Sequence, residues 1–294
     1  MGRRAAVRPA LRRYTPRSLR SQGYQLRRLG TRGYLRRAWR SRVMRQAPEP
    51  EADAPFDIGA PVPIILHAST LNGVKSHWLD RGGGTAELDA FRRLAPGHST
   101  FLDIGAAGGI FAAAFCAFTG GRAYAFEPSP GMYTRLTALR DTNPSFDIEP
   151  FQIALGAVSG VQPMLAHGPQ FRGVADAEAG TMTISVQTLD DFAAAHQLNP
   201  DFAKIDVEGM ELEVLRGGAS TFGSSVDAIM LEVHPRMLAG EHAVSEMQAL
   251  LVELGFALFT LELEPITDLA EQVRGPRGTP SRAMNIVCRR TPAR

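Results

Sequence analysis

The sequence predicts an α/β fold: an open, mostly parallel twisted sheet with helices on both faces, closed by a C-terminal antiparallel hairpin. Three observations predict it. A glycine-rich turn, Gly105-Ala-Ala-Gly-Gly109, separates the apolar run Phe101 to Ile104 from an alanine-rich segment. Strand-like and helix-like segments then alternate as far as Leu254, the pattern of repeated βα units. Phe256 to Leu263 and Ala283 to Cys288 read as a closing antiparallel pair.

The chain has 294 residues, 44% hydrophobic and 21% charged, which suits one large α/β domain with appendages. Two cysteines, Cys116 and Cys288, exclude a disulfide scaffold and a cysteine-built zinc cluster. No apolar run approaches the ~20 residues of a membrane-spanning helix. Nothing calls for an oxidising compartment, so the expected location is cytoplasmic. The net charge of +2 hides an asymmetry. Residues 1–45 hold fifteen arginines and no Asp or Glu, which leaves the remainder at −13.

Residues 1–45 are therefore read as a disordered, solvated arm, residues 46–60 as a Pro/acid linker, and residues 61–290 as the globular domain. Leu26, Leu29, Leu35, Trp39 and Val43 offer a second reading of the arm, as a segment lying peripherally on anionic membrane. Contact with nucleic acid through arginine and aromatic residues is a weaker third. The composition also resembles an Arg-rich, acid-poor transit peptide.

Within the domain, Pro63 to His67 reads as an outlying strand and Gly82-Gly83-Gly84 as a flexible turn. Thr85 to Leu94 places Leu88, Phe91 and Leu94 on one helix face. Phe101 to Ile104 is the first buried strand, and Ile110 to Phe118 its helix. Arg122 to Phe126 is the second strand, followed by a helix over Gly131 to Arg140. A third strand lies within Phe146 to Leu155. Residues 156–180, rich in Gly, Ala and Pro, read as a hairpin or an excursion over the site. Thr181 to Val186 alternates as an added strand, and Thr188 with Asp191 has capping-box spacing at the head of a helix ending near Gln197. Phe202 to Ile205 and Ala228 to Val233 are the fourth and fifth strands. Their helices are Gly209 to Arg216, stopped by Gly217-Gly218, and Val244 to Leu254.

A strand, a glycine turn and a helix let backbone approach a nucleotide closely. Asp103 lies inside the strand, just before Gly105, where a carboxylate is costly to bury unless it meets a cation or several donors. The ammonium of an amino-acid-like ligand would satisfy it. Glu127 ends the second strand, 24 positions later, where an acid is placed to accept from both ribose hydroxyls. The two carboxylates suit S-adenosylmethionine better than a dinucleotide, whose pyrophosphate would sit near Asp103. The turn also lacks G-x-G-x-x-G spacing.

Ligands of open α/β sheets lie beyond the carboxyl ends of the strands. Strand four ends in Lys204-Ile-Asp206-Val-Glu208-Gly, and strand five in Glu232-Val-His234-Pro. Residues two apart on a strand face the same way, so Asp206 with Glu208, and Glu232 with His234, would converge. Two roles stay open. His234 or Asp206 could act as general base for an acceptor hydroxyl, with His234 favoured because histidine titrates near neutrality. Alternatively, Asp206, Glu208 and Glu232 could hold a divalent cation such as Mg2+. Lys204 and Arg216 read as members of structural ion pairs.

The run Lys204-Ile-Asp-Val-Glu-Gly-Met-Glu-Leu-Glu-Val-Leu-Arg-Gly217 resembles the signature of the FkbM-type methyltransferases. Phe-Leu-Asp-Ile-Gly-Ala-Ala-Gly-Gly from Phe101, Phe-Glu-Pro from Phe126, Ala-Leu-Gly from Ala154, Val-Gln-Thr-Leu-Asp-Asp from Val186 and Leu-Glu-Val-His-Pro from Leu231 follow in the same order. The resemblance covers about residues 85–290. It implies the Rossmann-like class I methyltransferase fold, S-adenosyl-L-methionine as cofactor, and transfer to a hydroxyl of a sugar, lipid or polyketide-like acceptor. It places Asp103, Gly105, Ala107, Gly108 and Glu127 at the cofactor, and Asp206 and Glu208 near the reacting centre. The usual Gly-Ala-Asn is Gly105-Ala106-Ala107 here, which removes one polar contact. The competing readings are a nicotinamide-dependent oxidoreductase on a similar sheet and a cofactor-binding protein without activity.

Overall fold

In the computed structural model the described residues are 53–67, 84–167, 170–173, 181–238, 242–274, 281 and 283–291. The arm at 1–45, Gly82-Gly83 and part of the 156–180 segment lie outside them. Residues 54–58 depart from the linker reading. β1 (Ala54–Phe56) pairs antiparallel with β2 (Ile64–Leu66), and Ile58 is buried in the core.

α1 (Gly84–Leu94) buries Ala90, Phe91 and Leu94. β3 (Thr100–Ile104) leads through the glycine turn into α2 (Ile110–Thr119), where every residue from Ile110 to Ala117 is buried. A helix this apolar all round can exist only inside the protein. β4 (Arg122–Phe126) precedes α3 (Pro130–Thr142), which opens with proline at a position whose N–H would have no helical partner.

The expected third strand divides. β5 (Asp147–Phe151) stays at the edge of the main sheet, where Pro150 is tolerated, whereas β6 (Ala154–Leu155) joins a separate sheet. That second sheet is the excursion. β7 (Gly160–His167) and β8 (Gln170–Gly173) form a hairpin, and β9 (Thr181–Gln187) lies between β6 and β7. α4 (Leu189–His196) is capped as its spacing predicts, Thr188 Oγ1 accepting from Asp191 N–H at 3.1 Å. Ser159 completes the cap: its Oγ accepts from Thr188 N–H and reaches Asp191 Oδ2, both at 3.0 Å.

β10 (Phe202–Ile205) returns to the main sheet, followed by α5 (Glu211–Gly217) and α6 (Ala219–Ser224), the latter absent from the sequence reading. β11 (Ala228–Val233), α7 (Ala243–Glu253), β12 (Phe256–Phe259), β13 (Pro265–Ile266), α8 (Leu269–Gln272) and β14 (Met284–Arg290) complete the chain. The eight-stranded sheet has the order β13-β12-β14-β11-β10-β3-β4-β5. The run β11 to β5 is parallel, and β14 is antiparallel to both β11 and β12, as the closing pair requires. This is the class I methyltransferase architecture. Among the described residues no helix is long and apolar enough to cross a membrane.

Strand alternation sorts the two faces. Phe101, Phe202 and Met230 pack with Phe91 and Phe115 on one face, and Leu102, Ile104, Ile205 and Leu231 pack with Phe192, Leu215 and Met247 on the other. Asp103, Lys204 and Glu232 share the parity of the first face. Asp103 and Lys204 are register partners across β3 and β10, the two strands between which the sheet reverses its strand order. Such a switch point opens a crevice at the strand ends.

Candidate active site

The turns after β3 and β10 touch. A Cβ on Gly105, at φ 83°, would lie 1.9 Å from Asp206 O, so only glycine fits there. Ala107 takes a left-handed φ of 48°, costly for alanine, and its N–H donates to Glu127 Oε2 at 2.8 Å. Glu127 Oε1 accepts from Ser129 N–H at 2.8 Å. Gly108 lies between Ala107 and Gly109, the residue that precedes α2. The cofactor candidates Asp103, Gly105, Ala107, Gly108 and Glu127 thus fall at the end of β3, in its turn and at the end of β4. Burial pushes Glu127 up to about 7, against the pull of its two backbone donors.

Asp103 departs from its expected partner. It is 1% exposed, and its Oδ2 accepts from Ala112 N–H in the first turn of α2 at 2.9 Å. Burial raises it to about 6, opposed first by the Lys204 ammonium. The cation that its burial demands is therefore supplied by the fold itself, and burial alone no longer argues for a ligand ammonium.

Lys204 is buried beneath the crevice. Its Nζ lies 3.0 Å from Asp206 Oδ2 and 3.6 Å from Glu87 Oε1. Burial alone would lower its pKa, but Asp206, Glu87, Asp103 and Glu232 outweigh that and hold it raised. Arg216 is also ion-paired, as expected, its partners being Glu213 and Glu246 on the surface.

Asp206 and Glu208 do converge, though not by strand alternation. β10 ends at Ile205, and Glu208 sits in the following turn at φ 52°. Asp206 Oδ1, Glu208 Oε2 and Glu232 Oε1 lie 4.0, 3.7 and 3.8 Å from His234 Nε2. On the other side of the ring, His234 Nδ1 meets Glu211 Oε1 at 2.7 Å. Glu211 Oε1 also accepts from Gly209 N–H at 2.8 Å.

The expectation that histidine titrates near neutrality is corrected here. Burial would lower His234, but the hydrogen bond and charge of Glu211, with Asp206 and Glu232, raise it to about 9. The shift favours the imidazolium near neutral pH, which argues against His234 as the proton acceptor. Burial and Asp206 raise Glu232 to about 8. Asp206 remains ionised: burial would raise it, but Lys204 and His234 hold it low. The Asp206 side chain is also 28% exposed against 4% for His234, so of the two it is the more accessible from solvent.

The sequence reading missed two residues here, Glu87 and Glu211, the latter with no exposure at all. The signal was present in both. Glu87 precedes Ala90, Phe91 and Leu94 by three, four and seven positions, and Glu211 precedes Val214 and Leu215 by three and four. Each is an acid in an apolar helical stripe.

Residues 103–258, just over half of the chain, match the family described as the methyltransferase FkbM domain. The chain belongs to the FkbM methyltransferase family. This FkbM methyltransferase is 31% identical over 174 residues to the hexuronic acid methyltransferase AglP of Haloferax volcanii, a match covering 56% of this chain and 69% of that protein. Among solved structures it is similar to the methyltransferase FkbM of Methylobacillus flagellatus KT, at 17% identity and a TM-score of 0.44, over 76% of this chain and 54% of that one. It is also similar to a precorrin-6y C5,15-methyltransferase of Geobacter metallireducens, at 14% identity and a TM-score of 0.40, over 71% and 88%. The family uses S-adenosylmethionine, which decides against the oxidoreductase alternative. The matched span contains Asp103, Glu127, Asp206, Glu208, Glu211, Glu232 and His234, but not Glu87.

Proposed function

We propose that this FkbM methyltransferase transfers a methyl group from S-adenosyl-L-methionine to a hydroxyl of a sugar-class acceptor, such as a hexuronic acid. The sugar class is supported by the relationship to the hexuronic acid methyltransferase. The observation that carries the reading is the juxtaposition of Gly105 and Asp206, which brings the glycine turn against the carboxylate–imidazole cluster.

The donor set suits the cofactor. Carboxylates predominate around the crevice, which favours a ligand bearing sulfonium and ammonium charges. Each Glu127 oxygen holds one backbone N–H and has a lone pair left for one ribose hydroxyl. The glycine turn gives the backbone its close approach, and Asp103 fixes the start of α2 beneath it. Bound there, the cofactor would supply a methyl on a sulfonium, with a neutral thioether as the leaving group. Asp206, the ionised and partly exposed carboxylate of the cluster, would take the proton that the acceptor hydroxyl gives up on methylation. Lys204 keeps that carboxylate charged, and the buried imidazolium of His234 balances its neighbours.

Purified enzyme with methyl-labelled cofactor and a panel of neutral and uronate-containing saccharides tests the reading. Label should appear as an O-methyl group on a sugar ring. Labelling confined to lipids or proteins, or none on any saccharide, overturns it.

A further inference from the structure

The cluster at the ends of β10 and β11 has the spacing of a cation site. The oxygens of Asp206, Glu208 and Glu232 stand 3.7–4.0 Å from His234 Nε2, outside hydrogen-bond distance. Atoms that each ligate one divalent ion at ~2.1–2.4 Å stand roughly 3–4 Å apart. One ligand atom each from Asp206, Glu232 and His234 lies within 4.8 Å of the others.

The imidazole is prepared for that role. Glu211 holds Nδ1 and thereby directs Nε2 into the cluster, as the carboxylate behind a ligating histidine does. His234 is itself 3% exposed. Acidic side chains outnumber basic ones around it: Glu87, Asp103, Asp206, Glu208, Glu211 and Glu232 gather about Lys204 and His234. Glu211 Oε2, buried on the Nδ1 side of the imidazole, has no hydrogen-bond partner among the described residues.

We infer that Asp206, Glu232 and His234 bind one divalent cation of the Mg2+ or Mn2+ type, the ion taking the place of the proton on His234 Nε2, with Glu211 as the positioning residue behind the imidazole. The set differs from the one suggested by spacing, since His234 takes the place of Glu208. Oxygen and imidazole ligands without thiolate suit an ion of this class. The open coordination positions would hold acceptor oxygens, a role that rests on the methyl-transfer reading above. Binding of the ion rests on the geometry alone.

Electron paramagnetic resonance of free Mn2+, titrated into the full chain without cofactor or acceptor, tests the site. One saturable Mn2+ per chain is expected, displaced by Mg2+. Glu232→Gln and His234→Ala should each weaken it at least tenfold, with circular dichroism melts confirming that both variants fold. Glu211→Ala should also weaken it about tenfold. Glu211→Gln, whose amide oxygen can still accept from Nδ1, should restore most of the affinity, and His242→Ala should change nothing. No saturable binding by wild type at millimolar Mn2+ overturns the inference, as does binding that survives Glu232→Gln and His234→Ala unchanged. Saccharide methylation by a wild-type enzyme that binds no Mn2+ would sink the ion site and leave the functional reading standing. Mn2+ binding without saccharide methylation would do the reverse.

Discussion

Glu211 and His234 form a buried pair in which a carboxylate with no solvent exposure meets Nδ1 at 2.7 Å. The pair holds the histidine above its ordinary pKa, at about 9. A raised folded-state value stabilises the protein fully below the unfolded pKa of roughly 6.5, and the stabilisation is lost as pH rises through about 9. Glu211→Gln should lower the His234 titration midpoint in NMR and flatten the fall in melting temperature between pH 6.5 and 9. An unmoved midpoint would show that Asp206 and Glu232, not Glu211, set the charge.

Glu127 carries the next expectation. Its pKa of about 7 means that a cationic ligand must bind against a partly protonated carboxylate. Cofactor affinity should rise with pH up to about 7 and level off above it, with a limiting slope of about tenfold per unit. Glu127→Gln should weaken binding at least tenfold and abolish this slope. Glu127→Ala also strands the buried Ser129 N–H, so it should destabilise the fold by ~1–3 kcal/mol. Titration calorimetry across pH 5.5–8.5 measures both effects.

Ala107 occupies left-handed backbone without the glycine or asparagine that tolerates it. Ala107→Gly or Ala107→Asn should raise stability by about 0.5–1 kcal/mol, read in denaturant melts. A loss of stability in both variants would show that the alanine methyl makes a packing contact worth more than the strain.

Lys204→Met should be the most damaging substitution in the cluster. It leaves the buried Asp103 and Glu87, and the half-buried Asp206, with their shared cation gone, a loss of about 3–5 kcal/mol. Without the ammonium, the carboxylate pKa values rise further, so the damage should shrink as pH falls and the acids protonate. Equal destabilisation at pH 5 and pH 8 would attribute the loss to packing against Phe111, over whose ring Nζ sits at 4.6 Å.

The arm gives a test of its own. A variant beginning at Glu49 keeps β1 and β2, and should fold and bind cofactor as the full chain does. It should lose flotation with anionic vesicles, since each basic residue near such a surface contributes about 1 kcal/mol. Equal flotation of both chains would reject membrane attachment.

The parallel sheet was legible because the buried strands Phe101–Ile104, Phe202–Ile205 and Ala228–Val233 are short apolar runs placed between helical stripes; the order of those strands, and so the switch point, was not. The terminal pair was legible for the same reason. β6 was not, because a two-residue strand has no period, and only its pairing with β9 separates it from β5. The candidates for the cofactor end could be picked from local order: strand, glycine, acid. The reacting end could be read only in part. Asp206, Glu208, Glu232 and His234 advertise themselves at strand ends, but their charge states depend on Lys204, Glu87 and Glu211. Those partners come from separate elements, and no local pattern announces their approach.

The register pairing of Asp103 with Lys204 has a consequence for how two ligands would assemble on this enzyme. One ammonium serves the acid beneath the glycine turn and Asp206, the acid at the proposed reacting centre. Any positive charge delivered to one side relieves that ammonium of part of its load and strengthens its hold on the other. Cofactor and acceptor sites wired to a common counter-ion are thermodynamically linked, and each ligand alters the affinity for its partner by the same factor.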